Sequence, residues 1–277
     1  MSEVKNAIFV ANKPARISSN HFLSRIKRKY KVKKAGFSGT LDPFASGCLI
    51  VALGNYTRLF NYIDKGKKTY IATMWLGVKS QSMDNQNISE ITTVKPFVLS
   101  SIEIARSFLL GDIEYVPPKY SAKHVNGERA YDLARRGVEF ELKATKMHVY
   151  ESQILSYCHP FLTFSVTLSE GGYVRSYANL LAKKLGVNAT LSALHRVSEG
   201  EFRYDNERFL DPIEVLNLPL NEYSGEISNI LDGKNIEISQ LKFKQNGKYL
   251  LKYDKFFSII LVQNNEVKYC LNKVEIC

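Results

Sequence analysis

Residues 47 to 53 read GCLIVAL, seven consecutive positions with no charged side chain. Exposing such a run to water costs about 25 cal/mol for each Å² of apolar surface. It must therefore lie inside the protein, and its length and branched side chains suit a buried strand. Just before it stands AGFSGTLDPFAS, a turn of small residues with one carboxylate, Asp42, ahead of Pro43. Proline drives its predecessor into an extended conformation, and Gly39 frees the turn before it. Such a backbone presents a side chain outward from the edge of a rigid sheet. The competing reading is that Asp42 caps a turn, as aspartates in Asp-Pro turns commonly do.

Around this run, strand and helix patterns alternate without a βαβ rhythm. SNHFLSRIKRKY (19–30) places Phe22, Leu23, Ile26 and Tyr30 on one helical face, with Ser18 or Ser19 as N-cap. A longer strand is expected over 67–77, a polar mobile loop over 79–96 and a short helix around 100–110. The VPPKYSA segment is extended because each proline restricts the residue before it. A helix is expected over 127–137, ending at Gly137, then β-rich runs at about 140–157 and 161–169. A further helix, 176–185, stops at Gly186. The fold class is therefore α+β with a mixed, largely antiparallel sheet flanked by helices. The first 212 residues form the main domain, 213–225 a linker with a closing helix, and 226–277 a small β-rich module that must lean on the rest.

Charge narrows the partner. The chain carries 38 Lys and Arg against 27 Asp and Glu, a formal net charge of +11. An excess of that size favours a polyanion. Seven of the ten residues from 25 to 34 are basic, among them Arg25, Lys27, Arg28 and Lys29. A run like this is commonly a solvated helix face, and its position ahead of the Asp42 turn adds weight to the alternative, a phosphate-binding face. No apolar stretch approaches the ~18–20 residues needed to span a bilayer, and the N-terminal segment lacks the pattern of a secretory signal. Four dispersed cysteines (Cys48, Cys158, Cys270, Cys277) and five isolated histidines form no metal-ligand spacing. The thiols read as reduced, in a cytoplasmic protein whose catalysis is expected to need no metal.

Other residues strengthen the case for Asp42. Arg175, in GGYVRSY, is suited to pair with a carboxylate and keep it ionised. Tyr70 and Tyr173 are suited as platforms for a base, with core packing as the alternative for each. The proline segment and the helix after it carry Lys119, Lys123, Arg129, Arg135 and Arg136. No phosphate-loop lysine motif, dinucleotide fingerprint or nucleophile elbow is present. From residue chemistry alone, the chain is a nucleic-acid protein with one conspicuous carboxylate.

Four segments, in order, resemble the bacterial TruB-type tRNA pseudouridine synthases. GFSGTLDPFASGCLIVALGNYTR is similar to the catalytic motif, and KKTYIATMWLGVKSQSMD to the motif bearing a base-stacking tyrosine. VPPKYSAKHVNGERAYDLARRG and SEGGYVRSYANLLAKKLG…LSALHRVSEGEF match the remaining two, so the likeness spans roughly residues 8 to 212. The resemblance implies the pseudouridine synthase fold, with 226–277 as a short, degenerate PUA-like module. It implies conversion of uridine 55 in the tRNA T-loop to its C-glycoside isomer, without cofactor or metal.

Carried over by position, Asp42 is the catalytic carboxylate, Tyr70 stacks on the target base, and Tyr173 lies beside it. Arg175 pairs with Asp42, and Leu194 lines the pocket. The basic helix (Arg25, Lys27, Arg28, Lys29) and the proline segment (Lys123, Arg129) grip the T-arm. A base inside a folded loop must be flipped out, and aromatic contacts offset its lost stacking. The carboxylate can attack the uracil ring or C1′, or take a proton from C2′; the sequence leaves these routes open. One departure is local: Phe37 and Ser38 stand where the family usually has His-Thr. Two rival readings are a non-catalytic RNA-binding or RNA-folding protein on the same scaffold, and a synthase acting on other RNAs.

Overall fold

The computed structural model describes residues 4–276. The main sheet runs in the order Ala7–Lys13, Ser46–Leu53, Ala189–Glu199, Lys68–Leu76, Phe161–Leu168, Thr145–Cys158, Gly111–Tyr115. Every neighbour in this path is antiparallel except one. Ala189–Glu199 runs parallel to Ser46–Leu53, with His195 opposite Ser46 and Arg196 opposite Gly47. The expected α+β class with a mixed, mainly antiparallel sheet is what the chain adopts.

The near-continuous apolar character of GCLIVAL has a direct cause in the packing. Leu49, Val51 and Leu53 point to one face, where Phe22 and Ile26 of the Ser19–Tyr30 helix cover them. Ile50 and Ala52 point to the other, against Tyr56, Leu59 and residues from the C-terminal part of the chain. Both faces are dry, so both side-chain sets must be apolar. The Lys68–Leu76 strand alternates instead. Tyr70, Ala72, Met74 and Leu76 are buried under the Leu99–Ser107 and Val174–Lys184 helices, while Ile71 is exposed.

Gly247–Lys252, Phe256–Gln263 and Glu266–Glu275 form a three-stranded antiparallel meander. Leu250, Phe257, Ile259, Leu271 and Val274 pack against Ile8, Ile50 and Leu59 of the main sheet region. The stretch assigned to a linker opens with a helix, Pro212–Leu216, capped by the Asp211 carboxylate and burying Val215 and Leu216. A module this small has too little core of its own, and the shared apolar layer supplies the rest.

Three local expectations are corrected. The 79–96 segment is a hairpin rather than a mobile loop: Val78–Ser80 pairs with Ile88–Ile91, and Ser82 and Asp84 between them are buried. Most of its polar residues face solvent, while Ser82 and Asp84 are buried through hydrogen bonds instead of apolar contact. The 127–137 helix is shorter, Ala130–Arg135, because Asn126 and Gly127 take positive φ and turn a small His124–Val125/Glu128–Arg129 hairpin first. The later helix begins at Val174, which puts Arg175 in its first turn.

Candidate active site

The site forms where the sheet switches to its single parallel pairing. Ser46–Leu53 enters from the Asp42 turn, and Ala189–Glu199 lies between it and the Tyr70 strand. Arg196 is opposite Gly47 on one side and Tyr70 on the other. Register alone thus brings the end of the Asp42 turn and Tyr70 to one level.

The turn is held from several directions. The Ser19 hydroxyl donates to the Leu41 carbonyl at 2.9 Å and accepts from the Leu41 amide at 3.0 Å. The Arg16 amide donates to the Pro43 carbonyl at 2.7 Å, and the Ala45 amide to that of Asp42 at 3.1 Å. Gly39 adopts φ +59°, and a Cβ there would lie 2.8 Å from a Glu199 carboxylate oxygen. Only glycine combines that conformation with that approach.

Asp42 meets Arg175 as the residue types suggest. Arg175 Nη2 lies 2.9 Å from Asp42 Oδ2, and Arg175 is only 3% exposed. The guanidinium is itself fixed: Nη1 donates to the Ser82 carbonyl at 2.9 Å and Nη2 to that of Tyr120 at 2.9 Å. Asp84 Oδ2 stands 3.9 Å from Nη1. Asp84 is in turn tied by the Ser82 hydroxyl at 2.6 Å and the Gln86 amide at 3.0 Å. Burial pushes the Asp42 carboxyl above its ordinary value; Arg175 and Lys13 pull it back, and Asp84 adds to the rise.

Asp42, Tyr70, Tyr173, Arg175 and Leu194 line one cavity of about 340 Å³, together with Lys68 and Arg196. The structure thus brings the five residues singled out by the resemblance to one cavity. Burial raises the Tyr70 phenol, opposed by the charge of Arg196 and a hydrogen bond with it. Tyr173 is half-buried and leans on Tyr115, ring centroids 6.2 Å apart. The Tyr115 hydroxyl donates to the Gly171 carbonyl at 2.7 Å, which steadies the glycine pair before Tyr173. A second hollow of about 400 Å³ shares Asp42 and Arg175 with the first and is bordered by Asn20, Tyr120, Arg129 and Arg135. Phe37 lines this second hollow and not the one with Tyr70.

The basic candidates are less uniform. Arg25 and Arg28 are exposed on the Ser19–Tyr30 helix, and Lys27 is half-buried. Lys29 is bonded to Glu207, which also accepts from the Tyr30 hydroxyl at 2.7 Å. Lys123 is half-buried; exposed Arg129 donates to the Ala122 carbonyl at 2.7 Å.

Residue patterns missed Ser19, Ser82, Asp84, Arg196, Glu199 and Lys13. Lys13 is buried with its ammonium donating to the Pro14 and Ile17 carbonyls at 3.0 and 2.7 Å. Burial lowers its pKa to about 8, with Asp42 opposing and Arg196 adding. The available signal was charge inside apolar strand patterns, AIFVANK and LSALHRVSE. Among the described residues, no group of three His, Cys, Asp or Glu side chains is placed to hold a metal ion.

Comparison with known proteins decides the family. Residues 27–174 match the family described as TruB family pseudouridylate synthase (N terminal domain). A protein named tRNA pseudouridine synthase B from Campylobacter curvus (strain 525.92) is 60% identical over 272 residues, 98% of this chain and 100% of that protein. The chain belongs to the TruB family of pseudouridylate synthases. A relative of the same name from Campylobacter jejuni subsp. jejuni serotype O:6 (strain 81116 / NCTC 11828) is 52% identical over the same share of each chain. The fold of this TruB-family member is similar to that in a solved structure described as "Crystal Structure of a Cbf5-Nop10-Gar1 Complex". That likeness has a TM-score of 0.69 at 17% identity and covers 99% of this chain and 85% of the other.

Proposed function

We propose that this TruB-family synthase isomerises uridine 55 in the T-loop of tRNA to pseudouridine, with Asp42 as the catalytic carboxylate. The observation that carries the reading is the 2.9 Å Asp42–Arg175 contact in the wall of a cavity shared with Tyr70, Tyr173 and Leu194. Support for a tRNA substrate comes from relatives named tRNA pseudouridine synthase B at up to 60% identity over nearly the whole chain.

The reaction breaks the bond from C1′ to N1 of uracil and makes one from C1′ to C5, with a proton lost from C5 and one taken up at N1. The two proton steps cancel, so substrate and product are isomers. Between the two bonds the base is detached, and water must be kept from the electrophilic intermediate. Arg175 engages Oδ2 of Asp42, so Oδ1 is the oxygen left for the ribose–base junction. Tyr70 stacks on the extruded uracil, Tyr173 flanks it and Leu194 closes the apolar side. Arg25, Arg28 and Arg129 supply phosphate contacts along the T-arm.

The test is incubation of the full chain with an unmodified T-arm stem-loop, followed by mapping of the isomerised position. Pseudouridine at the T-loop position alone is the expected product. Binding without isomerisation would favour an RNA-folding protein, and isomerisation at another site a different RNA substrate.

A further inference from the structure

Arg196 and Glu199 place two charges at one of the least accessible points of the sheet, 1% and 0% exposed. Arg196 stands between the strand that leaves the Asp42 turn and the strand that carries Tyr70. Its Nε donates to the Cys48 carbonyl at 2.7 Å, and Nη2 to the Gly39 carbonyl at 2.8 Å. Nη2 also lies 3.2 Å from Glu199 Oε2. Glu199 Oε1 accepts from the Ser38 hydroxyl at 2.9 Å and lies 3.8 Å from Lys68 Nζ. Tyr70 is the register partner of Arg196 on the neighbouring strand, and its phenol feels the charge of the same guanidinium.

This pair is not built for stability alone. Glu199 Oε2 receives no hydrogen bond, because its contact with Arg196 is close but poorly directed. Buried ion pairs left under-satisfied contribute little compared with well-packed apolar replacements. What the pair supplies is geometry. A planar fork joins two backbone carbonyls and a carboxylate at once, which a point-like ammonium does not do.

We propose that Arg196 and Glu199 are positioning residues for the isomerisation. They hold the Ser38–Gly39 backbone and Tyr70 in one frame, so that the Asp42 carboxylate and the stacking ring meet the target nucleotide together. The proposal rests on the roles given to Asp42 and Tyr70 above.

The experiment compares the full chain with an Arg196→Met/Glu199→Leu double variant, which fills the volume without charge, and with Glu199→Gln. Thermal melting, stem-loop binding and single-turnover isomerisation are read for each. The folded double variant should bind within about threefold of the parent yet isomerise on the order of 10²-fold more slowly, the scale set by a misplacement of about 1 Å. Glu199→Gln keeps an acceptor for Ser38 and should lose about tenfold in rate; it carries the test if the double variant does not fold. Parental rate in either folded variant, or a loss confined to KM, overturns the proposal. Asp42→Asn, run alongside, separates the two readings. If it still isomerises, the role of Asp42 fails; if it is inactive while the other variants react normally, only the positioning role fails.

Discussion

Ser19 and Leu41 hold each other twice, the Ser19 hydroxyl donating to the Leu41 carbonyl at 2.9 Å and accepting from the Leu41 amide at 3.0 Å. Both residues are buried, and Leu41 immediately precedes Asp42. Ser19→Ala leaves a buried donor and acceptor unpaired, at a cost of about 1–3 kcal/mol. Denaturant titration should show that loss, and single-turnover rates should fall more than stem-loop affinity. An unchanged rate would mean the remaining contacts hold the turn unaided.

Arg175 governs the ionisation of Asp42. Burial raises the carboxyl above its ordinary value of 3.8, and Arg175 is the largest influence opposing that rise. The protonated carboxyl is inactive in this account, so the rate falls as pH drops through the raised pKa. Removing the guanidinium in Arg175→Met moves this acid limb to higher pH. A pH profile of the single-turnover rate checks it, and a limb that stays in place contradicts the pairing's role.

Lys13 links stability to pH in the alkaline range. Its folded pKa is about 8, against 10.5 for an ordinary lysine. Between these values the unfolded chain holds a proton that the folded chain has released, so stability from this residue rises with pH. Below about 8 both states are protonated and the contribution is flat. The difference in unfolding free energy between the parent and Lys13→Met should climb from pH 8 towards 10. A difference independent of pH would show that Lys13 keeps its charge throughout.

The basic helix offers a test by salt. Each phosphate contact removed reduces the slope of log K against log salt by about 1. Arg25→Ala and Arg28→Ala should each do so in stem-loop binding. Lys29→Ala should change the slope less, because Glu207 already neutralises that ammonium. Equal effects at all three positions would mean that RNA displaces Glu207.

Much of this was legible because particular residues leave local marks. GCLIVAL is apolar at both parities, which only a strand covered on both faces requires, and Phe22, Ile26, Tyr56 and Leu59 provide that cover. The Ser19–Tyr30 helix carries its stripe and its Ser18 cap openly. Asp42 stands out through Pro43, and Arg175 through its glycine-rich approach. Ser82 and Asp84 leave no such mark: their burial is satisfied by hydrogen bonds, and in sequence they resemble a solvated loop. Arg196 was hidden for a different reason. Its importance lies in a parallel register with Gly47, a long-range pairing that no local period encodes.

The central claim is that the Asp42 carboxylate performs the isomerisation, and substitution at that position tests it most directly. Asp42→Ala should bind an unmodified T-arm stem-loop with affinity close to the parent's and form no pseudouridine in a single-turnover assay. Pseudouridine formed by that variant at a near-parental rate would contradict the account.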